Sequence, residues 1–244
     1  MLTRTVQVLA QAAWTPTAAA PRPAPALLAA NERRRAPQAV LMALQAAEAA
    51  GAGAAVDLGS VATVFASAHG DLAIVDALCR TLADEPLLLS PLRFHHSVHN
   101  AASGYFAIGA RNREASTAVA AGPWSFGAGW LEAAGQCAAE QRPVLLVGCD
   151  TAAPDGPLQS VNDSREALAV ALLLAPPGAG GRGVRWQLQP GRFTPPPGNP
   201  MAAARPLLAA LGAAPAARLD VPLSAQLGLV IDVEAEGDRE SGPA

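Results

Sequence analysis

The feature that most constrains this sequence is a sharp turn, Gly122-Pro123-Trp124-Ser125, set between segments that read as regular structure. Before it lies the β-branched and alanine stretch Ser116-Thr117-Ala118-Val119-Ala120-Ala121. After it comes an apolar helix from Phe126 to about Glu140, and then Pro143 to Asp150, a run apolar on both faces as a buried strand should be. Upstream, the polar, small-residue segment Phe94 to Gly104 leads into a helical run from Tyr105 to about Arg111. The unit is helix, strand, elbow, buried helix, buried strand. An elbow of this kind presents a helix N-terminus, whose unpaired N–H groups favour anions and activated nucleophiles.

The totals limit what surrounds this unit. A chain of 244 residues can bury the core of one sizeable domain or two small ones. Hydrophobic residues make up 51% and aromatics only 4%, so the core must be built from Ala, Leu and Val. All 17 basic residues are Arg, which reads as the coding bias of a GC-rich genome. A net charge of −3 gives no electrostatic reason to expect a nucleic-acid partner. Cys79, Cys137 and Cys149 are too far apart for a CxxC site, so no disulfide framework or zinc knuckle is indicated. The longest apolar run, Ala167 to Pro176, has about half the roughly 20 residues a membrane-spanning helix needs. Gln7 and Gln11 interrupt any signal-peptide core, and a cytoplasmic location is expected.

In order, Thr5 to Leu9 reads as a strand and the proline-rich residues 15–26 as a loop. Asn31 is expected to cap a helix with Arg33, Arg34 and Arg35 in its first turns, Val40 to Ala47 on its apolar face and Gly51 at its end. Val61 to Ala66 is a buried strand, and Asp71 caps a following helix. Later strands are expected over Arg165 to Leu174, Val184 to Gln189 and Gln226 to Val233, with a short helix from Met201 to Leu211. Strands alternating with helices indicate an α/β architecture. Residues 1–233 read as one domain and 234–244 as a disordered acidic tail.

Three motifs invite stronger readings. Gly178-Ala179-Gly180-Gly181-Arg182-Gly183 fits G-x-G-x-x-G, but it opens into a strand where the dinucleotide fingerprint must open a helix, so a flexible hairpin turn is expected. His95, His96 and His99, with His69 nearby, lack the carboxylate and rigid frame that a metal site uses, and line a loop or an interface instead. Ser125 sits where a nucleophile elbow would place a serine, giving a serine hydrolase as the alternative function. However, G-x-S-x-G is missed by one residue, and every histidine precedes the serine.

Taken together, the stretch resembles the N-terminal half of a β-ketoacyl synthase of the thiolase superfamily. Ser97 to Gly104 resembles that family's Asn-containing loop, Gly127 to Ala134 the helix after the nucleophile, and Val144 to Gly148 the strand that follows. The resemblance covers about residues 30 to 175. It implies a thiolase-like α/β fold, a single N-terminal-type half with a mixed sheet flanked by helices, the C-terminal half being largely missing from this chain. The counterpart of the catalytic cysteine falls at about Pro123, where no nucleophile stands, and no histidine occurs after His99. Decarboxylative condensation needs an acylated thiol and imidazoles to stabilise the developing charge.

These departures make the chain similar to the short, ketosynthase-like chain length factors, especially those of aryl polyene and fatty-acid-like pathways. The resemblance then implies a catalytically silent subunit that pairs with a full-length β-ketoacyl synthase and works on acyl carrier protein without a cofactor. It places the dimer interface at Ser116, Thr117, Ala118, Val119, Ala120 and Ala121, with His99 and Asn100. Trp124, Phe126 and Trp130, three of the chain's ten aromatic residues, are candidates for closing an acyl tunnel or for filling the core.

Overall fold

The computed structural model describes residues 3–160, 162 and 164–236. Along the chain, β1 (Arg4–Trp14) is followed by α1 (Ala30–Arg35), α2 (Gln38–Ala54) and β2 (Ala62–Ala66). Three helices, α3 (Leu72–Asp84), α4 (Pro91–His96) and α5 (Ala101–Gly109), separate β2 from β3 (Ser116–Val119). The elbow then leads into α6 (Ser125–Glu140), β4 (Val144–Asp150) and β5 (Leu168–Ala175). The remainder supplies β6 (Arg182–Pro190), α7 (Arg205–Gly212), β7 (Ala217–Pro222) and β8 (Leu227–Val233).

All eight strands form one mixed sheet in the order β3-β2-β4-β5-β1-β6-β8-β7. The β3-β2-β4 part is parallel and every other pair antiparallel. Every residue of β4 and β5 is buried, so both faces of the central strands carry Leu, Val and Ala and no alternation is visible in their sequence. Side chains of successive residues feed opposite layers. Val64, Leu146 and Leu172 pack under α6 and α7, together with Met201. Phe65, Leu145 and Leu173 pack under α2 and α5. Each fully buried Val or Leu contributes roughly 1.5–3 kcal/mol, which is how an alanine-rich chain with few rings closes its core.

Several local expectations change. The expected helix after Asn31 is two helices, with Pro37 opening the second. Arg33, Arg34 and Arg35 fall in the last turn of α1, where positive charge meets the negative end of the helix. Gly51 lies inside α2, which runs on to Ala54. The helix expected from Tyr105 starts at Ala101 and is preceded by α4. Met201 belongs to a 3-10 turn, with α7 beginning only at Arg205. Strand β7, an edge strand ending in Pro222, was not visible as a separate run.

The glycine run is not a hairpin. Strands β5 and β6 lie on opposite sides of β1, so residues 176–181 must cross that strand. The crossing falls where the β1 register shifts, between Val8 and Ala10. A Cβ on Gly181 would sit 2.4 Å from the Val8 carbonyl oxygen, and its φ of +91° suits glycine alone. The run is thus glycine-rich because backbone passes over backbone. Of the expected tail, the Glu234 and Glu236 N–H groups donate to the Gly183 and Ala214 carbonyls, while residues 237–244 lie outside the described residues.

Candidate functional site

Strand β3 sits at one edge of the sheet and pairs only with β2, from Thr63 opposite Ser116 to Ala66 opposite Val119. The Thr63 and Ser67 N–H groups donate to the Ala115 and Val119 carbonyls. Odd-numbered positions of β3 therefore face β2, and Ser116, Ala118 and Ala120 turn their backbone groups outward. The outward-turned residues are exposed, while Thr117, Val119 and Ala121 are half-buried. Thr117 is held from behind by Gln136 Nε2, which donates to its hydroxyl at 2.9 Å.

The elbow follows directly. Gly122 takes φ +54°, which turns the chain from strand to helix, and exposed Pro123 occupies the position where a nucleophile was sought. α6 is pressed hard onto the sheet: a Cβ on Gly129 would lie 2.7 Å from that of Ala66. Phe126 and Trp130 are fully buried in the layer beneath α6, filling the core, whereas Trp124 at the turn is half-buried.

Ser125 is also fully buried. Its Oγ donates to the Gly122 carbonyl at 2.7 Å and accepts from the Ala121 N–H at 2.9 Å. The hydroxyl locks the elbow and makes no hydrogen bond to a histidine, so the serine-hydrolase reading is not supported. The thiols lie elsewhere. Cys137 on α6 is pushed up to about 11 by burial, and Cys149 on β4 is also raised by burial, while Cys79 is exposed on α3. Buried thiols with raised pKa values are poor nucleophiles.

The histidines divide by role. His99, although exposed, donates through Nε2–H to the Ser67 carbonyl at 3.0 Å, and the Ser67 N–H in turn reaches Val119 at the end of β3. The structure thus brings His99 and the edge strand to the same end of the sheet. Neighbouring Asn100 is exposed and precedes α5. His96 is buried and pairs with the Tyr105 hydroxyl at 2.9 Å. Burial lowers the His96 pKa and raises that of Tyr105. His95 is exposed, and among the described residues no cluster of His, Cys, Asp or Glu is arranged to hold a metal.

One polar centre went unread in the sequence. Asp150, at the end of β4, is completely buried and receives the Ser67 hydroxyl at 2.9 Å, the Ala68 N–H at 2.9 Å and the His69 N–H at 3.0 Å. Desolvation raises its pKa, and these donated bonds oppose the rise. The carboxylate holds the loop that carries Ser67, and hence the seat of His99. The available signal was an acid closing an otherwise apolar strand. Beside this loop lies a cavity of about 20 Å³, lined by Ser67, Asp71, His96, His99 and Cys149. That volume holds about one water and no acyl chain. A broad groove of about 910 Å³ runs along β1 near the glycine crossing and involves none of the elbow residues.

Residues 7–204 match the family model of the β-ketoacyl synthase N-terminal domain. The chain belongs to that family. Among solved structures, one described as the ketosynthase ApeO in complex with its chain length factor ApeC, from Xenorhabdus doucetiae, contains a chain 26% identical to this one. The match covers 93% of this chain and 99% of that one, with a TM-score of 0.72. A chain of the ishigamide ketosynthase/chain length factor is 13% identical, over 96% of this chain and 100% of that one, with a TM-score of 0.69. A complex described as AntDE:AntF, a type II polyketide synthase acyl-carrier protein with its ketosynthase bound to the hexaketide, gives 11% identity over 84% and 73% of the two chains and a TM-score of 0.59. These last two establish likeness of fold. No curated protein matches the chain. The turn between β3 and α6 of this family member carries proline. No helix among the described residues is long and apolar enough to cross a membrane.

Proposed function

We propose that this chain is a chain length factor. It would be a ketosynthase-like subunit without condensing activity of its own, paired in the cytoplasm with an active β-ketoacyl synthase that extends polyene, polyketide or fatty-acid-type chains on acyl carrier protein. The observation that carries the reading is the strand-to-helix elbow, which is occupied by Gly122, exposed Pro123 and Trp124, with no thiol beside it. Condensation needs a nucleophile that can take the acyl group and imidazoles that stabilise the carbanion and oxyanion. The side chains of His96 and His99 are bonded to the Tyr105 hydroxyl and the Ser67 carbonyl, and no histidine follows His99 in the sequence. The likeness to a chain solved in a ketosynthase complex, at nearly full length for both, supports a subunit that works in a pair.

The test is acyl transfer followed by reconstitution. The purified chain, incubated with acyl-loaded carrier protein, should show no covalent adduct by intact mass. Adding the β-ketoacyl synthase encoded nearest to it in its own genome should give a stable heterodimer and chain extension. An adduct on this chain that turns over would overturn the reading, and so would extension by the ketosynthase that is indifferent to its presence.

A further inference from the structure

Strand β1 changes partners along its length. Arg4 to Val8 pair with β6, which begins at Arg182 opposite Val8. Beyond the register shift, Ala10 to Trp14 pair with β5 on one side and, among the described residues, with no strand on the other. Their partner β5 is buried throughout, whereas Ala10, Gln11, Ala12 and Trp14 are half-buried and Ala13 is exposed. Alternate residues of this half-strand turn their N–H and C=O groups away from β5. An open edge of that kind is a template for another strand. The groove of about 910 Å³ lies here, lined by Leu9, Ala10 and Gln11, by Arg182 at the start of β6, and by Glu234 and Glu236 after β8.

The polar groups of the groove define its occupant. Of seven buried side-chain polar atoms without a partner among the described residues, three line it: Gln7 Oε1, Gln11 Oε1 and Arg182 Nε. Buried polar groups are ordinarily satisfied, so this concentration marks a place for a ligand. The Arg182 Nη atoms are occupied, donating to the Ala213, Pro215 and Glu234 carbonyls. The Glu234 and Glu236 carboxylates form no ion pair among the described residues. Two amide oxygens and two carboxylates therefore accept, against one guanidinium N–H that donates. An occupant that satisfies them brings several donors, positive charge and an acceptor for Arg182 Nε. A small cation would meet the carboxylates and leave the backbone of Ala10 to Trp14 unpaired. An extended peptide meets both needs, its backbone bonding to the open edge and its basic side chains supplying the charge.

We propose that the open half of β1 binds an extended, basic peptide segment of a partner protein. The segment adds to the sheet as a strand beside Ala10 to Trp14 and places its basic side chains at Glu234 and Glu236. The groove involves none of the elbow residues, so the proposal does not rest on the pairing proposed above. A fluorescent, end-capped peptide of alternating valine and arginine is titrated into the full chain, beside the same peptide with glutamate in place of arginine. The arginine peptide should bind at least about tenfold more tightly, and hydrogen exchange at residues 10–14 should slow in its presence. The double variant Glu234→Gln/Glu236→Gln keeps the backbone bonds from both residues to the Gly183 and Ala214 carbonyls. It should melt like wild type and bind the arginine peptide about tenfold more weakly. If it melts lower, Glu236→Gln alone, at an exposed position, should still weaken binding at least about threefold. No binding of the arginine peptide, equal binding of the two peptides, or unchanged affinity in Glu236→Gln would overturn the proposal. Binding that leaves exchange at residues 10–14 unchanged would also overturn it, because the charge would then be met without strand addition. Equally tight binding of arginine amide would make the groove a small-cation site and count against a peptide.

Discussion

A carboxyl group as deeply buried as Asp150 is stable only if its oxygens are satisfied, and here three donors from one loop satisfy them. The arrangement makes a single residue responsible for the end of β2, the seat of His99 and the approach to the edge strand. Asp150→Ala would leave the Ala68 and His69 N–H groups and the Ser67 hydroxyl without their acceptor. The expected loss is at least about 3 kcal/mol, since three donors lose their acceptor and each unpaired buried donor costs roughly 1–3 kcal/mol. Chemical denaturation measures it directly, and a loss below the error of that method would show the latch to be dispensable. The same residue sets a pH dependence. Burial raises the Asp150 carboxyl above its ordinary value of 3.8, so the folded chain keeps the proton at a pH where the unfolded chain has released it. Its contribution to stability is full below the unfolded pKa and declines as pH rises through the folded one. Asp150→Asn removes that titration. The stability difference, wild type minus variant, should therefore shrink as pH rises from about 4, and a difference that stays flat with pH would count against a raised pKa.

At the scale of elements, β3 is the piece whose role depends on what lies beyond it. Its odd positions bond to β2, so Ala118 offers its N–H outward and a proline there spares the inner ladder. Ala118→Pro should leave the isolated chain folded, with a change of melting temperature within a few degrees, and should weaken binding to the ketosynthase by at least tenfold. Full retention of affinity would mean that no strand pairs at this edge. Elements of this kind were legible in the sequence because pattern and packing agree. The Val61–Ala66 and Pro143–Asp150 runs, the Asp71 cap and the elbow all lie close to where they were read. What was not legible depends on distant partners. α4 has only six residues and little apolar periodicity, and β7 exists because β8 is there to pair with it. The glycine run read as a hairpin because nothing local reveals that β1 lies between β5 and β6. The site was half legible. That no cysteine, serine or histidine stands at Pro123 is plain from the sequence, whereas the Asp150 latch needed residues more than 80 positions apart in the chain.

On the scale of the whole molecule, neither the cavity by His96 nor the groove along β1 is lined by the elbow residues 122–126. The cavity by His96 holds about one water, and Phe126 and Trp130 are fully buried in the core. If this subunit limits the product as proposed above, the elbow is expected to act as the end wall of a tunnel completed by the partner. Of the three aromatic residues at the elbow, Trp124 is the one that keeps exposed surface, and it stands next to Pro123 at the start of α6. Each two-carbon extension adds roughly 2.5 Å of extended chain, so one ring at the wall can decide between successive products. Trp124→Ala in the reconstituted pair should lengthen the product by one or more extension cycles while leaving the condensation rate and the melting temperature close to wild type. Phe126→Ala removes a fully buried ring and should cost about 3–5 kcal/mol of stability, with less product and no change in its length. Product mass and melting temperature, measured together for both variants, separate a wall from a core. If Trp124→Ala folds stably and makes a product of unchanged length, the ring at the elbow does not set chain length, and the limit must lie within the ketosynthase itself.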